Sequence, residues 1–260
     1  MTHLLTLIVV LPLLGAVLNG LFATRLRENR LGKGFVTVVG CGLPILAFFA
    51  TVRAFLLLQG GDGSALLETA YTWAVIDHQA FEVSFYFDRL TAVMALIVTG
   101  VGSVIHIYSI GYMHDDKSYA RFFAYLNLCL FFMLSLVLGR SLLVLFVGWE
   151  GVGLASYLLI GFWFDDAANA AAGKKAFITN RIGDAGFILG ISLAAWWLGS
   201  VEWSGLAAWA SDAEQFNKVT ARLLVFGFLV AAVAKSAQLP FSAWIARALE
   251  GPTPSSAIFY

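Results

Sequence analysis

Charge is what this chain has least of. Its 260 residues hold 16 Lys and Arg and 16 Asp and Glu, so 12% are charged against 60% hydrophobic, and the formal net charge is zero. Soluble domains carry roughly a quarter charged residues, which excludes an ordinary water-soluble architecture. No block of five or more basic residues occurs. That excludes a nucleic-acid surface and an electrostatically held peripheral anchor. Cysteine is scarce too: Cys41 and Cys129 each fall inside an apolar run and read as small core hydrophobes rather than a disulfide or metal pair. There is no cysteine set for iron–sulfur ligation, no Gly-rich phosphate loop after a strand, and no histidine pair at haem-like positions. No cofactor is expected in this chain, and redox chemistry, if any, belongs to others.

What is abundant is apolar length. A spanning helix needs about 20 mostly apolar residues, and seven segments qualify, near 3–23, 34–58, 88–112, 121–138, 142–164, 173–199 and 220–240, with an eighth starting near Pro254. The fold class predicted is an all-α polytopic helix bundle. The first segment lacks a basic leader and a small-residue cleavage site, so it reads as a span and not a signal peptide. Between the second and third spans, Gly60 to Ser64 is a turn signal. Tyr71 to Asp77 and Phe81 to Phe87 then alternate as a short hairpin does. Trp203 to Phe216 suits an interfacial helix. Basic residues concentrate in alternate loops (Arg25, Arg27, Arg30 and Lys33; Lys117 and Arg121; Lys174 and Lys175), whereas Asp62, Glu68, Asp77, Glu82, Glu202, Asp212 and Glu214 lie on the other side. Positive loops face the cytoplasm, which places the N-terminus outside.

Against that background a few charges stand out. Lys235 is the lone basic side chain in the apolar run from Leu223 to Pro240, and Glu150 interrupts Leu142 to Phe164. A charge at mid-membrane costs roughly 2.5–3.5 kcal/mol on insertion scales. Two of opposite sign therefore imply a partner, a water cavity or an ion pathway. Gly148, Gly151 and Gly153 let neighbouring helices approach and bury Glu150, and the two charges are expected to approach each other on facing helices, with water or polar groups between or beside them. Pro240, five residues after Lys235, breaks the helix near the lysine, as in transporters with discontinuous spans. Arg181 and Asp184, three apart on the sixth span, share a face and can pair with each other. His106 and Lys175 are weaker relay candidates. A satisfied buried histidine is the plainer reading of His106, and Asp88 opens the third span as a helix-start carboxylate.

The residues that carry this pattern match a known family. Phe87-Asp-Arg-Leu90, Phe146-Val-Gly-Trp-Glu-Gly-Val-Gly-Leu154, Ser156 to Trp163, Lys175-Ala-Phe177 with Asn180-Arg-Ile-Gly-Asp184, and Ala234-Lys-Ser-Ala-Gln-Leu-Pro-Phe241 with Gly251-Pro-Thr-Pro254 closely resemble the largest antiporter-like subunit of respiratory complex I. That subunit is itself related to the large subunit of Mrp-type sodium/proton antiporters. The resemblance covers about residues 85–258. It implies that 85–260 form a first half-channel, truncated in the eighth span, behind an N-terminal unit of two spans and a hairpin loop at 1–84. It also implies that Glu150 and Lys235 belong to a proton relay with Arg181 and Asp184 beside them.

The family's subunit is more than twice this length, with a second, inverted half, so the chain is expected to be a fragment. Two positions depart from its pattern: Trp244 is followed by Ile245-Ala-Arg-Ala248, and Tyr260 stands where a histidine is common. Tyr260, a phenol that rarely titrates at neutral pH, is expected to order water in the exit path. The implied function is proton translocation in an NADH:quinone oxidoreductase of a bacterial inner membrane. NADH, flavin, iron–sulfur clusters and quinone would sit in partner membrane and peripheral subunits, with lipid but no nucleic acid as further partners. A cation/proton antiporter or ion-coupled uptake subunit is the alternative, and a structural subunit with an unused channel is a third reading.

Overall fold

Apolar runs too long for a soluble core become helices because only intra-segment hydrogen bonds satisfy the backbone in lipid. A computed structural model describes residues 3–21, 30–61, 64–76, 79–212 and 217–259. Of the residues singled out above, Arg25, Arg27, Asp62, Asp77, Glu214, Phe216 and Tyr260 lie outside this set. Nine α-helices occur among the described residues: α1 Leu4–Leu21, α2 Arg30–Gly60, α3 Arg89–Tyr112, α4 Tyr119–Leu138, α5 Leu142–Ile160, α6 Ala167–Leu193, α7 Trp203–Ser211, α8 Lys218–Lys235 and α9 Thr253–Phe259. A π-helical turn, Ala194–Leu198, extends α6, and a 3-10 segment, Ser242–Glu250, follows α8.

Five helices, α1 to α5, are long and apolar enough to cross a membrane. The sixth and seventh expected spans are also helical, as α6 and α8. Their Lys174, Lys175, Arg181, Asp184, Lys218, Arg222 and Lys235 dilute the apolar signal. α8 ends at Lys235, and helical structure resumes at Ser242 after a turn containing Pro240. Pro240 has no N–H to give Ser236 O, and the Gln238 side chain donates to that carbonyl instead, at 3.3 Å. Trp244 Nε1 donates to Ala234 O at 3.1 Å, tying the resumed segment back to the end of α8.

The hairpin is longer than its alternation suggested. β1 Leu66–Ile76 pairs antiparallel with β2 Gln79–Phe87, Leu66 opposite Phe87, with irregularities near Ala70 and Trp73. Its first strand starts five residues before Tyr71, where Leu66 and Leu67 are consecutive apolar residues that break strict alternation. The hairpin is fastened to α1 by one carboxylate. Glu68 accepts hydrogen bonds from Leu5 N at 2.8 Å, Thr6 N at 3.1 Å and the Thr6 hydroxyl. These are donors that the first turn of a helix leaves unpaired, and negative charge is favoured there. Glu68→Ala should cost about 0.5–2 kcal/mol, the usual value of an N-terminal cap. Limited proteolysis of the intact protein should then cut the hairpin faster, and an unchanged rate would refute the latch.

On the same face of the bundle the hairpin, the α4–α5 turn and the approach to α7 are knitted together. Arg140 N donates to Ser84 O at 3.1 Å, Leu142 N to Val201 O at 2.8 Å, and the Arg140 side chain pairs with Glu202 at 3.0 Å. α7 itself covers the front part of the expected interfacial helix. At the opposite end, Arg121 donates to Phe162 O at 3.0 Å and Lys33 to His114 O at 2.6 Å.

Three further features of the helices depend on small or polar residues. Asp88 caps α3 through Thr91 N at 2.8 Å, as its position predicted. Cys41 and Cys129 are buried and unpaired, in line with their reading as core hydrophobes. In α2, Pro44 cannot donate to the carbonyl four residues back, at Gly40. Asn127 of α4 does so instead, its Nδ2 lying 3.0 Å from Gly40 O. A neighbouring helix thus satisfies the carbonyl that proline frees.

Candidate charge-relay site

Four charged residues converge where α5, α6 and the end of α8 meet. Glu150 is the ninth of the 19 residues of α5, and glycines clear the space around it. A Cβ on Gly148 would meet the Leu136 backbone of α4, its Cα at 2.7 Å, and one on Gly151 would run into the Phe132 ring. α5 is therefore pressed against α4, which leaves Glu150 only 18% exposed. On the other flank, α6 and α8 touch backbone to backbone at Gly186 and Gly227. A Cβ on Gly227 would lie 2.6 Å from Gly186 O, and one on Gly186 2.7 Å from Gly227 O. Small-residue contacts of this kind bring membrane helices together, and here they bring the end of α8 up to α5.

The pairing differs from the one the sequence suggested. Glu150 forms its ion pair with Arg181 of α6, and Arg181 also lies 3.9 Å from Asp184 on its own helix. Lys235 reaches the neighbourhood of Glu150 but does not pair with it. Its Nζ donates to the carbonyl of Trp149, the residue before Glu150, at 3.0 Å, and sits 5.4 Å from the centre of the Trp149 ring. The physical reason is α6, which brings the Arg181 guanidinium, held over the Phe177 ring, closer to the carboxylate than Lys235. A Cβ on Gly153 would be only 3.0 Å from Lys235 Nζ, so the ammonium occupies room that this glycine leaves.

Trp149 was not singled out from the sequence, yet it joins the two halves of the cluster. Its Nε1 donates to Asp184 Oδ1 at 2.8 Å while its carbonyl holds Lys235. Asp184 is 6% exposed. One signal was available: a tryptophan within a span needs a partner for its indole N–H, and this one is adjacent to a buried charge. Phe187, one turn beyond Asp184, packs edge-on against Trp149, Phe146 and Phe228 with ring centres 5.1–5.4 Å apart. These rings wall the charged cluster on one side.

The other candidates stand apart. Lys175 is exposed on α6 and makes no hydrogen bond or ion pair among the described residues. His106 on α3 is fully buried; its Nδ1–H donates to Gly102 O at 2.7 Å, and its Nε2 has no protein partner. Pro240 lies in the exposed turn after α8. Among the described residues no group of three or more His, Cys, Asp or Glu is placed to hold a metal. The cluster has two negative and two positive groups, so it is neutral as a whole and becomes unbalanced whenever one proton enters or leaves.

Comparison with known proteins places the chain in a family. The family model described as NADH:quinone oxidoreductase/Mrp antiporter, TM, matches residues 139–260, and that described as NADH-Ubiquinone oxidoreductase (complex I), chain 5 N-terminus, matches 73–123. The chain belongs to the antiporter-like membrane subunits of the complex I family. NADH-quinone oxidoreductase subunit L of Mycobacterium tuberculosis (strain CDC 1551 / Oshkosh) is 41% identical over 261 residues, covering 100% of this chain and 40% of that protein. The chloroplastic NAD(P)H-quinone oxidoreductase subunit 5 of Mesostigma viride is 39% identical, covering 98% and 39% respectively. The chain thus spans about two fifths of the length of these relatives. In fold it superposes on the Mrp complex from Dietzia sp. DQ12-45-1b with a TM-score of 0.77 at 24% identity, over 99% of this chain and 26% of that one. An archaeal membrane-bound sulfane sulfur reductase gives 0.78 at 17%, over 98% and 49%. This is a multi-pass membrane subunit of antiporter-like fold, of a family whose members belong to multi-subunit complexes.

Proposed function

We propose that this chain carries a proton-relay site of an NADH:quinone oxidoreductase, with NADH, flavin, iron–sulfur clusters and quinone held by partner subunits. The observation that carries the reading is the neutral four-charge cluster of Glu150, Arg181 and Asp184 inside α5 and α6 with Lys235 at the end of α8, linked through Trp149. Arg181 lies between two carboxylates and can favour either. Protonating Glu150 releases the guanidinium toward Asp184, and that shift changes the field at Lys235, the group that exchanges the next proton. In this reading α8 and the 3-10 segment are two halves of one interrupted span around Pro240. Residues 85–260 form the half-channel behind the two spans and hairpin of 1–84, and Tyr260 orders water onward from Lys235. The N-terminus faces outward from a bacterial inner membrane, with the basic loops in the cytoplasm.

Moving a proton against 100 mV needs roughly 2.3 kcal/mol, and nothing in the cluster supplies it. The driving reaction therefore lies in other subunits. The test is ion identity in proteoliposomes holding the complete assembly. NADH oxidation should acidify the lumen without added sodium, and a protonophore should abolish the gradient. Sodium-dependent lumen acidification without NADH would instead support a cation/proton antiporter.

A further inference from the structure

Away from the charged cluster, on the opposite flank of α4, the bundle buries a second polar site. Phe132 and Leu136 of α4 face α5, whereas Asn127 faces α1 and α2. Asn19 of α1 and Asn127 are both 0% exposed. Asn127 Nδ2 is occupied by Gly40 O, freed by Pro44, and by Phe123 O at 2.9 Å. Its Oδ1 has no protein partner, and neither Nδ2 nor Oδ1 of Asn19 has one. Two amides are thus left with three unpaired polar atoms in a region enclosed by apolar helices. In such surroundings an unpaired amide is strongly disfavoured.

The glycines let these amides lie close against the backbones of α1 and α2. Gly15 lies one turn before Asn19 on the same face of α1, and a Cβ there would collide with Asn127 Oδ1. A Cβ on Gly40 would stand 3.0 Å from Asn19 Nδ2. Asn127 Oδ1 thus lies against Gly15 of α1, and the Nδ2 atoms of Asn19 and Asn127 both lie beside Gly40 of α2. Buried water is held where two to four polar groups otherwise lack partners, and three such atoms converge here.

We propose that Asn19 and Asn127 form a buried water-binding site, separate from the Glu150–Lys235 cluster. One water accepts from Asn19 Nδ2 and donates to Asn127 Oδ1, and a second donates to Asn19 Oδ1. The first water bridges α1 to α4, while the Gly40 carbonyl that Pro44 frees is already held by Asn127 Nδ2. His106 is not part of the site: its Nδ1–H is held by Gly102 O, and its ring lies beside Phe123, with centres 6.4 Å apart.

The site is tested in the complete membrane assembly by cryo-electron microscopy at a resolution that shows ordered water, and by the Asn19→Leu variant. Density within hydrogen-bond distance of both amides is the expected result. A direct Asn19–Asn127 contact with no density between them overturns the proposal. Asn19→Leu should lower the thermal midpoint of the assembly by a few degrees, because it breaks the bridge and strands Asn127 Oδ1. If the amides bound nothing, the same change would remove two unpaired polar atoms and leave the midpoint unchanged or raised, which also overturns it.

Discussion

Lys235→Met in the full-length subunit should reduce NADH-driven proton translocation about tenfold or more while the assembly forms at normal yield. The two parts of that expectation have separate grounds. Methionine keeps most of the lysine volume, so the slot left by Gly153 stays filled and α8 keeps its seat on α6 through Gly186 and Gly227. The only hydrogen bond lost, to Trp149 O, is to a helix carbonyl within the span of α5. The chemistry, by contrast, loses its one exchangeable ammonium, and positioned proton transfer commonly contributes 10²–10⁴-fold. The cluster is also left with two carboxylates against one guanidinium, a net charge that burial disfavours. Lys175→Met is the control, because Lys175 is exposed on the same helix as Arg181 and touches none of the cluster. Normal pumping by Lys235→Met would remove the lysine from the pathway. Equal losses in both variants would mean that the effect is not specific to the site.

How far the site could be read from the sequence depended on which physical signal each residue carries. Glu150 and Lys235 were legible because a charge in an apolar run is costly wherever the run folds. Asp88 was legible because a carboxylate before an apolar segment has few roles besides capping. The glycines around Glu150 announced close helix contact, and the backbone of Leu136 against Gly148 is that contact. Pairing was less legible. Arg181 and Asp184 at a spacing of three do meet, but nothing in a linear pattern says that Arg181 will turn its closer contact toward another helix. That choice is set by the crossing of α5 and α6, a tertiary property. Asn19 and Asn127 are illegible for a similar reason, because single asparagines in apolar helices have no periodic signature. Only the meeting of Pro44, Gly40 and Asn127 in space shows what one of them does. The hairpin starts five residues before Tyr71, where alternation fails at Leu66 and Leu67: Leu66 packs against the bundle, whereas Leu67 is exposed.

Trp149→Phe should lower proton translocation by a factor of roughly ten to a hundred without loss of assembly, the equivalent of the 1.5–3 kcal/mol of a hydrogen bond to a charged group. Phenylalanine retains a ring beside Lys235 and against Phe187, so the aromatic wall and the packing of α5 on α6 survive. What disappears is the indole N–H that holds Asp184 Oδ1. Asp184 then has Arg181 as its remaining partner, 3.9 Å away on the same helix, and must compete with Glu150 for it. A guanidinium drawn toward Asp184 no longer answers to the protonation of Glu150 alone, and the link between the two carboxylates weakens. Trp149 therefore acts as a positioning residue, and a purely structural role can be told apart by the pH dependence of pumping. If the indole sets the balance between Asp184 and Glu150, the pH of half-maximal pumping moves in Trp149→Phe, and Trp149→His, which restores a ring N–H, recovers part of the rate. A uniform loss at every pH, with no recovery in the histidine variant, would leave Trp149 as packing alone and would separate Asp184 from the relay.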